Sequence, residues 1–455
     1  MEMLAAKKDW IRLFPLQVVA VIMVAAVISL AAALGYVFDI LIILLPVTVL
    51  CFYSPLAIPV SAIMLAPLLG RTGDSLIGPL SPISIMGLWF LLLGGTVVAL
   101  NLKRVSRERF FFLPLALLSL AVLSLVVSPF KGKTAVELIR IFSVFVMLPL
   151  GYLLCGRERN RKIILCAILA SSIIPLTVGL YQYVTGDVTH LAEFAVMAEQ
   201  RDDLVRIYAT FWDHHPFAIY LMVLCGVLFV FMVSERRSMY LKLAYSVLLG
   251  LSFFELISTY ARSELIGFFI SAAAALYASR KLKIGMILLV LPLLVGLFFV
   301  TGVFDRFADL FQALDLQSTF KENTLKTRIL IWMTALPLAL QRPVLGHGAD
   351  TFSEAVGIVA HNDYLGLFYD LGAAGPLLYA GFLFLAAVKT FKYGRLTWLS
   401  PFDRCLVLIT FGLTIAIIIL STVENLFAST TLWWLYLVLL GCVMRAAREG
   451  APCKE

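Results

Sequence analysis

The chain has 455 residues, and 62% of them are hydrophobic. Soluble globular proteins average about 45–50% apolar residues, so this composition excludes a soluble protein. The formal net charge of +8 does not indicate a nucleic-acid partner, because the basic residues form short clusters between apolar runs, where they act as topology signals.

Apolar runs of about 20 residues, the length needed to cross a bilayer, recur along the whole chain. They predict a single all-α polytopic membrane domain over residues 1–455, with about 12–14 transmembrane helices. The second and third runs, which only Tyr53-Ser54-Pro55 separates, could also form a re-entrant pair. In chain order the predicted spans are 14–34, 37–53, 55–70, 83–101, 110–128, 138–156, 163–183, 215–234, 240–259, 263–279, 284–302, 363–388, 404–421 and 427–444.

Clusters of lysine and arginine between the predicted spans indicate how the chain crosses the membrane, since positive residues accumulate on the cytoplasmic side. If the spans alternate from a cytoplasmic N-terminus, every such cluster faces the cytoplasm, and the C-terminus does too. The clusters lie at residues 103–109, 157–162, 236–242, 280–283, 389–395 and 445–448.

Two long loops then face outward, residues 184–214 and residues 303–362. The second is longer than a structureless loop in a compact domain usually is. It contains a short amphipathic pattern at 304–311 and a longer apolar one at 325–340, and both predict helices. Such helices can lie in the membrane interface and form a cap over the bundle.

Arg262 and Arg328 are the two arginines whose positions in the sequence suggest a role in binding an anionic substrate. Arg262 lies at the predicted outer edge between two spans, where a charge usually has a task or a partner. Arg328 begins the longer loop helix, and a guanidinium presents a planar set of donors that matches phosphate oxygens. Two such groups together would form a clamp for a diphosphate. The alternatives are an Arg262 that extends to lipid headgroups or pairs with Glu264, and an Arg328 that is only a solvated loop charge.

His361 precedes the predicted twelfth span, with Asn362 and Asp363 available as N-cap residues. Tyr364 and Phe368 follow at helical spacing and would give the histidine an aromatic face. Imidazole is the side chain best suited to proton transfer near neutral pH, so His361 is a candidate general base. A histidine that only caps the helix would show the same pattern.

Asp213-His214-His215, at the outer end of the eighth span, resembles a set of metal ligands. Three adjacent residues cannot converge on one ion without help, and no other histidine or cysteine set has suitable spacing. We therefore expect a polar membrane edge, with no metal and no cofactor. Arg206, beside Arg201-Asp202-Asp203, could bind an anion or be a solvated loop charge. Walker-type, dinucleotide-binding and zincin motifs are absent from the sequence.

Several of these residues belong to motifs that occur in a fixed order along about residues 205–380. The motifs are Phe211-Trp-Asp-His-His-Pro216, Thr259-Tyr-Ala-Arg262-Ser, Arg328-xxx-Trp332, Arg342-Pro-Val-Leu-Gly346-His-Gly348, His361-Asn-Asp-Tyr-Leu365 and Gly372-xx-Gly375. The ordered set resembles the bacterial O-antigen ligase and Wzy-type polymerase superfamily. Ser263 and Phe217 depart from the family's pattern, which often has glycine and asparagine at these two places, and about fourteen spans exceed the twelve usual for ligases.

The resemblance implies a metal-independent glycosyltransferase of GT-C-like fold in the bacterial inner membrane, with its active site facing the periplasm. By motif, Arg262 and Arg328 match the family's essential arginines, and His361 matches its essential histidine. A single displacement in which His361 accepts the acceptor proton would invert the anomeric configuration. Further substrate contacts are expected from Arg206, Arg342, Tyr364, His215 and Asp213.

The expected donor is an oligosaccharide linked to undecaprenyl diphosphate. The acceptor is a glycolipid, either another lipid-linked repeat unit for a polymerase or lipid A–core for a ligase. Membrane lipids and a chain-length regulator are the other expected partners. The number of spans and the His-Asn-Asp-Tyr-Leu form of the motif favour the polymerase, and the ligase is the alternative.

A transporter or flippase for a lipid-linked sugar would also need outward arginines for the phosphates. It would not need a histidine beside them, and it usually carries charges along the bundle interior. In this chain the charged motifs gather on one predicted face, which favours an enzyme.

Overall fold

A computed structural model describes residues 46–51, 53–69, 82–186, 206–211, 213–234, 238–279 and 324–449. Within these residues every regular element is a helix, and no strand occurs. The prediction of an all-α polytopic membrane protein is therefore confirmed. The physical reason is that lipid offers no hydrogen-bond partner, so each spanning segment must satisfy its backbone groups internally.

The first half of the described chain is a series of apolar helices joined by short connections. Residues 46–51 are helical, and single turns of helix occur at Leu102–Val105 and Arg109–Phe111. The longer helices are α1 (Ala57–Leu69), α2 (Pro82–Leu100), α3 (Phe112–Val127), α4 (Lys131–Phe145), α5 (Met147–Leu154), α6 (Glu158–Ser171), α7 (Ile173–Thr185), α8 (His214–Ser234), α9 (Met239–Ser258) and α10 (Arg262–Ala278).

The second half contains shorter helices before the last long ones. A single turn at Leu426–Ala428 precedes the final helix. The helices are α11 (Thr324–Ala339), α12 (Phe352–Val356), α13 (Asp363–Leu371), α14 (Ala374–Tyr393), α15 (Pro401–Leu420) and α16 (Thr430–Glu449).

Eight helical stretches in the described residues are long and apolar enough to cross a membrane. They are Arg109–Val127, Lys131–Leu154, Glu158–Thr185, His214–Ser234, Met239–Ser258, Ala374–Tyr393, Pro401–Leu420 and Thr430–Glu449. Each overlaps a predicted span. The predicted spans at 55–70, 83–101 and 263–279 coincide with α1, α2 and α10.

The predicted span 363–388 is wrong at its start, because two helices occupy that stretch. Helix α13 ends at Leu371, and Gly372 adopts a φ of +70° before α14 begins. A Cβ at Gly372 would overlap the carbonyl of Val344, so only glycine fits this break. The membrane candidate therefore begins at Ala374, and α13 remains with the outer-loop segment.

Several predictions fall outside the described residues. They are the spans 14–34 and 284–302, most of the span 37–53, the short loop helix 304–311 and residues 187–205 of the first outer loop. The longer loop helix predicted for 325–340 is present as α11.

Helix α16 is the centre of the bundle, and nearly all of its residues are buried. It lies against α5 with backbone touching backbone, since Gly151 and Gly441 face each other across the contact. Small residues at such a contact let two membrane helices approach closely and gain packing energy that lipid cannot supply.

Helix α15 connects two polar layers at opposite ends of the bundle. At its start Asp403 accepts two hydrogen bonds from Arg161, at 2.7 and 3.0 Å, and both side chains are buried. At its end the chain reaches the segment that contains Glu424. A helix of this length spans about 30 Å, the thickness of the hydrocarbon core. The two buried charges therefore lie at opposite faces of the membrane region.

The glycine contact between α5 and α16 leads to a stability prediction. A Cβ on Gly441 would overlap the backbone of Leu148 and Tyr152, which cannot move aside as a side chain can. Gly441→Ala should lower the free energy of unfolding by about 1–3 kcal/mol, the usual cost of overpacking. The measurement is thermal unfolding in detergent. Gly250→Ala in α9 is the matched control, because no atom lies within 4 Å of that added Cβ, and equal stability of the two variants would contradict the prediction.

Candidate active site

Polar side chains from separate segments of the chain meet beyond the end of α15. Their proximity could not be read from their positions in the sequence. They are His215 in the first turn of α8, Ser263 and Glu264 in the first turn of α10, Arg328 on α11, His361 before α13, and Glu424 after α15.

Arg328 extends from α11 to the segment after α15. Its Nη1 donates to the carbonyl of Val423 at 2.7 Å, and its Nη2 donates to Glu424 Oε1 at 2.9 Å. One turn later, Trp332 Nε1 donates to the carbonyl of Ala360 at 2.9 Å. Residues four apart share a helix face, so the Arg328-xxx-Trp332 motif joins α11 to two other site segments at once. The Nε of Arg328 is buried and has no hydrogen-bond partner among the described residues.

Glu424 is the centre of the cluster and is 5% exposed. Its Oε1 lies 2.6 Å from Ser263 Oγ in addition to the Arg328 contact, and its Oε2 lies 3.9 Å from His361 Nδ1. Burial by itself would raise the pKa of Glu424. Proximity to His361 and to the Arg328 guanidinium outweighs burial and lowers the pKa of Glu424 to about 2. Glu424 is therefore ionised at neutral pH.

His361 adopts an unusual backbone conformation, with a φ of +47°. A side chain with a Cβ is strained there, and such residues concentrate at functional sites. The next residue, Asn362, caps α13 by accepting a hydrogen bond from Leu365 N at 3.0 Å, as the sequence predicted. The imidazole is partly exposed, while its Nδ1 is buried without a hydrogen-bond partner among the described residues.

Glu264 and Ser263 form the second half of the cluster. Glu264 is fully buried, and its Oε1 lies 3.3 Å from His215 Nδ1. Ser263 Oγ lies 3.0 Å from Glu264 Oε2 and within hydrogen-bond distance of Glu424 as well. Ser263 therefore connects the two buried carboxylates.

Arg262 is the first residue of α10 and directly precedes Ser263. Its side chain is half-buried. Tyr260, two residues earlier, has a φ of +57°, so the chain turns sharply before the helix begins. Arg262 is thus next to Ser263 along the chain, at a helix N-terminus that also favours anions.

The Arg342-to-Gly348 motif is a scaffold that ties the loop to the end of α13. His347 N and Gly348 N donate to the carbonyls of Tyr369 and Asp370, both at 2.9 Å. Gly346 adopts a φ of +67°, and a Cβ there would overlap the Asp370 carbonyl. The motif thereby holds α11, with Arg328, against the helix that follows His361.

Asp363 connects the segment of His361 to that of Glu424. Its carboxylate accepts hydrogen bonds from Ser421 Oγ at 2.7 Å, from Tyr379 Oη at 3.3 Å and from Phe427 N at 3.0 Å. Burial raises the pKa of Asp363 to about 7, although these hydrogen bonds favour its charged form. This side chain keeps His361 and Glu424 in a fixed relative position.

Two other predicted substrate contacts, Asp213 and Arg206, make their described contacts outside the cluster around Glu424. Asp213 pairs with His214 and accepts from its backbone N–H at 2.6 Å. Arg206 is half-buried at the start of segment 206–211, whose Ile207 N–H donates to the Ser258 carbonyl.

Arg342 and Tyr364 make their hydrogen bonds outside the cluster. Arg342 is exposed and donates to the carbonyl of Val127 at 3.2 Å. Tyr364 donates to the carbonyl of Ile418 at 3.0 Å, and its ring packs against Tyr379, so it does not supply the aromatic face predicted for His361.

Sequence reasoning did not select Glu424, Ser263 or Glu264 as site residues. The sequence could have identified Glu424 as a candidate site residue, because it is a lone acid in the short outer segment between two strongly apolar helices. Glu264 was considered only as a partner of Arg262, and Ser263 only as a departure from a motif. Their roles in the cluster depend on contacts with residues about 50 to 160 positions away.

Three members of the cluster have the donor types of a metal site. The ligand atoms of His215, Glu264 and Glu424 all lie within 4.8 Å of one another, and nitrogen and carboxylate donors suit a divalent cation. Against this use, Glu424 Oε1 is already engaged by the positive Arg328, which would repel a second cation nearby.

The raised pKa of Asp363 leads to a prediction about stability and pH. The folded protein holds the Asp363 proton up to about pH 7, whereas the ordinary value is 3.8. The folded state therefore binds more protons between these values, and its stability falls as pH rises through them. Asp363→Asn stays neutral, so thermal unfolding between pH 5 and 8 should show a shallower decline for this variant than for the native protein. Parallel declines would contradict the assignment.

Residues 247–380 match the family model described as O-antigen ligase. This segment runs from α9 into α14 and contains Arg262, Ser263, Glu264, Arg328 and His361, whereas His215 and Glu424 lie outside it. No curated protein matches the chain. Over these residues the chain is similar to the O-antigen ligase family, and the match supports a place in the O-antigen ligase and Wzy-type polymerase superfamily.

Proposed function

We propose that the protein is a membrane glycosyltransferase that polymerises polysaccharide repeat units. It moves a glycan from an undecaprenyl-diphosphate-linked donor to an acceptor hydroxyl on another lipid-linked unit. The matched family domain supports glycosyl transfer with lipid-linked glycans in general, and the polar cluster supplies the groups that such a reaction needs.

One observation carries the proposal: a candidate base and a candidate phosphate ligand lie against the same buried carboxylate. Glu424 Oε1 is 2.9 Å from Arg328 Nη2, and Glu424 Oε2 is 3.9 Å from His361 Nδ1. A buried carboxylate that holds a guanidinium and an imidazole side by side gives one place both an anion-binding group and a group able to accept a proton.

In the proposed reaction the arginines, the histidine and the glutamate each have a separate role. Arg328 and Arg262 bind the donor diphosphate and stabilise the negative charge that grows on it as the anomeric bond breaks. His361 accepts the proton of the attacking hydroxyl. Glu424, 3.9 Å from His361 Nδ1, orients the ring and stabilises the imidazolium that forms. The displacement is a single step and inverts the anomeric configuration.

The proposed reaction needs no metal. Two guanidinium groups can neutralise a diphosphate, and Arg328 already lies against the carboxylate that a cation would require. His215, Asp213, Arg206, Arg342 and Tyr364 remain proposed substrate contacts.

The proposed setting is the bacterial inner membrane, with both termini in the cytoplasm and the cluster facing the periplasm. The distribution of basic residues supports this orientation. Surrounding lipids and a chain-length regulator are the proposed partners.

A ligase that transfers the glycan to lipid A–core is the second candidate. The family model that matches residues 247–380 is described as O-antigen ligase, and it is compatible with either acceptor. Both candidates share the donor chemistry and differ in the hydroxyl that attacks.

Glycan transfer by the purified protein tests the proposal. Native lipid-linked repeat units are incubated with the protein in the presence of EDTA, with and without lipid A–core. Growth of glycan on the carrier alone is the expected result. Transfer only when lipid A–core is present would favour the ligase, and movement of lipid between leaflets without transfer would contradict an enzyme.

Activity that disappears in EDTA and returns with a divalent cation would contradict the metal-independent mechanism. In that case Glu264→Gln should remove the response to the cation, because Glu264 belongs to the candidate ligand set.

Loss of His361 should abolish most of the transfer. His361→Ala is expected to lower kcat by about 10²–10⁴-fold, the usual contribution of a general base. The matched control is His347→Gln, since His347 stacks on Tyr369 and contacts the Leu338 carbonyl, away from the cluster. Initial rates at saturating donor give the comparison, and full activity in His361→Ala would rule out this role.

A further inference from the structure

A cavity of about 90 Å³ lies beside the polar cluster, between α13 and α4. Several of its lining residues share one face of α13, since they are spaced three or four apart. They are Asp363, Gly366, Leu367, Asp370 and Leu371. Because α13 has nine residues, the cavity follows about 13 Å of helix. A water molecule needs about 10–15 Å³ of such space, so the cavity has room for several waters or for the hydroxyl-bearing edge of one sugar.

The cavity reaches the segments that hold the histidine and the central glutamate of the cluster. Ala360 and Asp363, on either side of His361, line it. Asn425, the residue after Glu424, lines it as well. None of the described residues of α8, α10 or α11 is part of the lining, although these helices supply the rest of the cluster. The cavity therefore adjoins the candidate base and is separate from the arginine of α11.

The charged side chains around the cavity disfavour a phosphate. Arg140 is the only positive one among the described lining residues, and Glu137 and the Phe427 carbonyl already accept its hydrogen bonds. Three aspartates also belong to the lining: Asp350, Asp363 and Asp370. Carboxylates accept hydrogen bonds from hydroxyl groups, whereas they repel a diphosphate. The cavity thus suits the uncharged, hydroxyl-rich end of a glycan.

Neutral groups complete a lining that suits a sugar. Asn425 presents an amide that can donate and accept, and this side chain does not cap the turn that follows it. Phe352 and Phe427 supply apolar surface, against which the C–H face of a sugar can pack. The lining residues Val359 and Ala428 are exposed, so a ligand can enter from solvent. Apolar walls with a few placed polar groups are the usual lining of a small-molecule site.

The proposed reaction requires separate places for its two substrates. In a single displacement the attacking hydroxyl approaches the anomeric carbon from the face opposite the leaving group, with the base on the side of the hydroxyl. The arginines suit the diphosphate of the donor. The cavity meets the segment of His361 without using those arginines, so it offers the second place.

We propose that the cavity along α13 is the acceptor subsite and takes an uncharged terminal sugar of the acceptor glycolipid. This inference rests on the proposed function and specifies the chemical class that the subsite binds. Asn425 and the aspartates bind the hydroxyls that do not react, and this leaves one hydroxyl beside His361. The subsite thereby determines which linkage is formed.

The test needs an acceptor that cannot act as donor, because both substrates of the proposed polymerase are lipid-linked repeat units. An alkyl glycoside of the repeat unit presents the same terminal sugar, and its alkoxide is too poor a leaving group to be displaced. With the native lipid-linked unit as donor, the purified protein then gives separate KM values for donor and acceptor.

Gly366 offers a way to fill the cavity without changing the polar cluster. Outside the helix backbone, the nearest atom to an added Cβ is Ala360 Cβ, at the ordinary contact distance of 3.6 Å. Leucine also favours a helix more than glycine does, so Gly366→Leu should fold with its side chain in the cavity. We expect the KM for the alkyl glycoside to rise at least about 10-fold while the KM for the donor stays native.

Gly250→Leu is the matched control, since no atom lies within 4 Å of a Cβ added at that position in α9. It should keep both native KM values. Gly366→Ala adds a single methyl group and should raise the acceptor KM less than Gly366→Leu does. A native acceptor KM in folded Gly366→Leu would overturn the subsite.

Binding without catalysis gives a measurement on the native protein. The probe is the repeat-unit oligosaccharide, freed from its lipid diphosphate by mild acid. Saturation-transfer NMR should show contact with the terminal sugar, and added undecaprenyl diphosphate should not displace the probe, because the diphosphate binds at the arginines. Displacement, or no contact at probe concentrations above the acceptor KM, would contradict the proposal.

Asn425→Ala tests the polar contact and does not depend on how Gly366→Leu folds. Loss of one hydrogen bond to the sugar should raise the acceptor KM by about 3-fold to 10-fold and leave the donor KM native. An equal rise in both values would indicate a disturbed Glu424 and would remove Asn425 from the subsite.

Failure of the subsite and failure of the proposed function are distinguishable. If the native protein makes no glycan product with any acceptor, the proposed function fails. If it makes product and Gly366→Leu uses the alkyl glycoside as well as the native protein does, only the subsite fails.

Discussion

The buried carboxylate of Glu424 is the interaction on which the candidate site depends. It holds Arg328 from the loop, Ser263 from α10 and, at slightly longer range, His361 from the start of α13. Burying one charge alone would cost several kcal/mol, and removing one partner of a buried pair is similarly costly. The segments that carry these side chains must therefore stay together for the carboxylate to remain ionised, and this requirement brings an imidazole and a guanidinium to one place.

The surrounding bundle makes this arrangement rigid. Helix α16 is almost entirely buried and packs against α5 through facing glycines, while α15 extends from the Arg161–Asp403 pair to the Glu424 segment. In lipid such close contacts and buried hydrogen bonds supply the stability that apolar burial supplies in water. The site is thus built at the ends of α8, α10 and α15, and the segments of Arg328 and His361 approach it from the outer-loop region.

The polar network also bears on the proposed reaction, in which donors must stabilise the charge of a diphosphate. Away from bulk water, preorganised donors act with little screening, and a chain of hydrogen bonds strengthens its members. Ser263 joins the two buried acids of this network, since its hydroxyl lies within hydrogen-bond distance of both Glu264 and Glu424.

Composition and spacing alone determined that this is an all-helical membrane protein and where most of its described spans lie. They also selected Arg262, Arg328 and His361 as candidate site residues. These features are local, since span length, charge clusters and motif spacing are each read within a short stretch of chain. Only the tertiary structure decided that Glu424 joins Arg328 and His361, that Ser263 bridges two acids, and that Arg342 and Tyr364 make their hydrogen bonds elsewhere. It also divided the predicted span 363–388 at Gly372, where contact with Val344 requires glycine. The physical reason is that these outcomes depend on which distant segments pack together, and hydrophobic periodicity specifies a helix without specifying its neighbours.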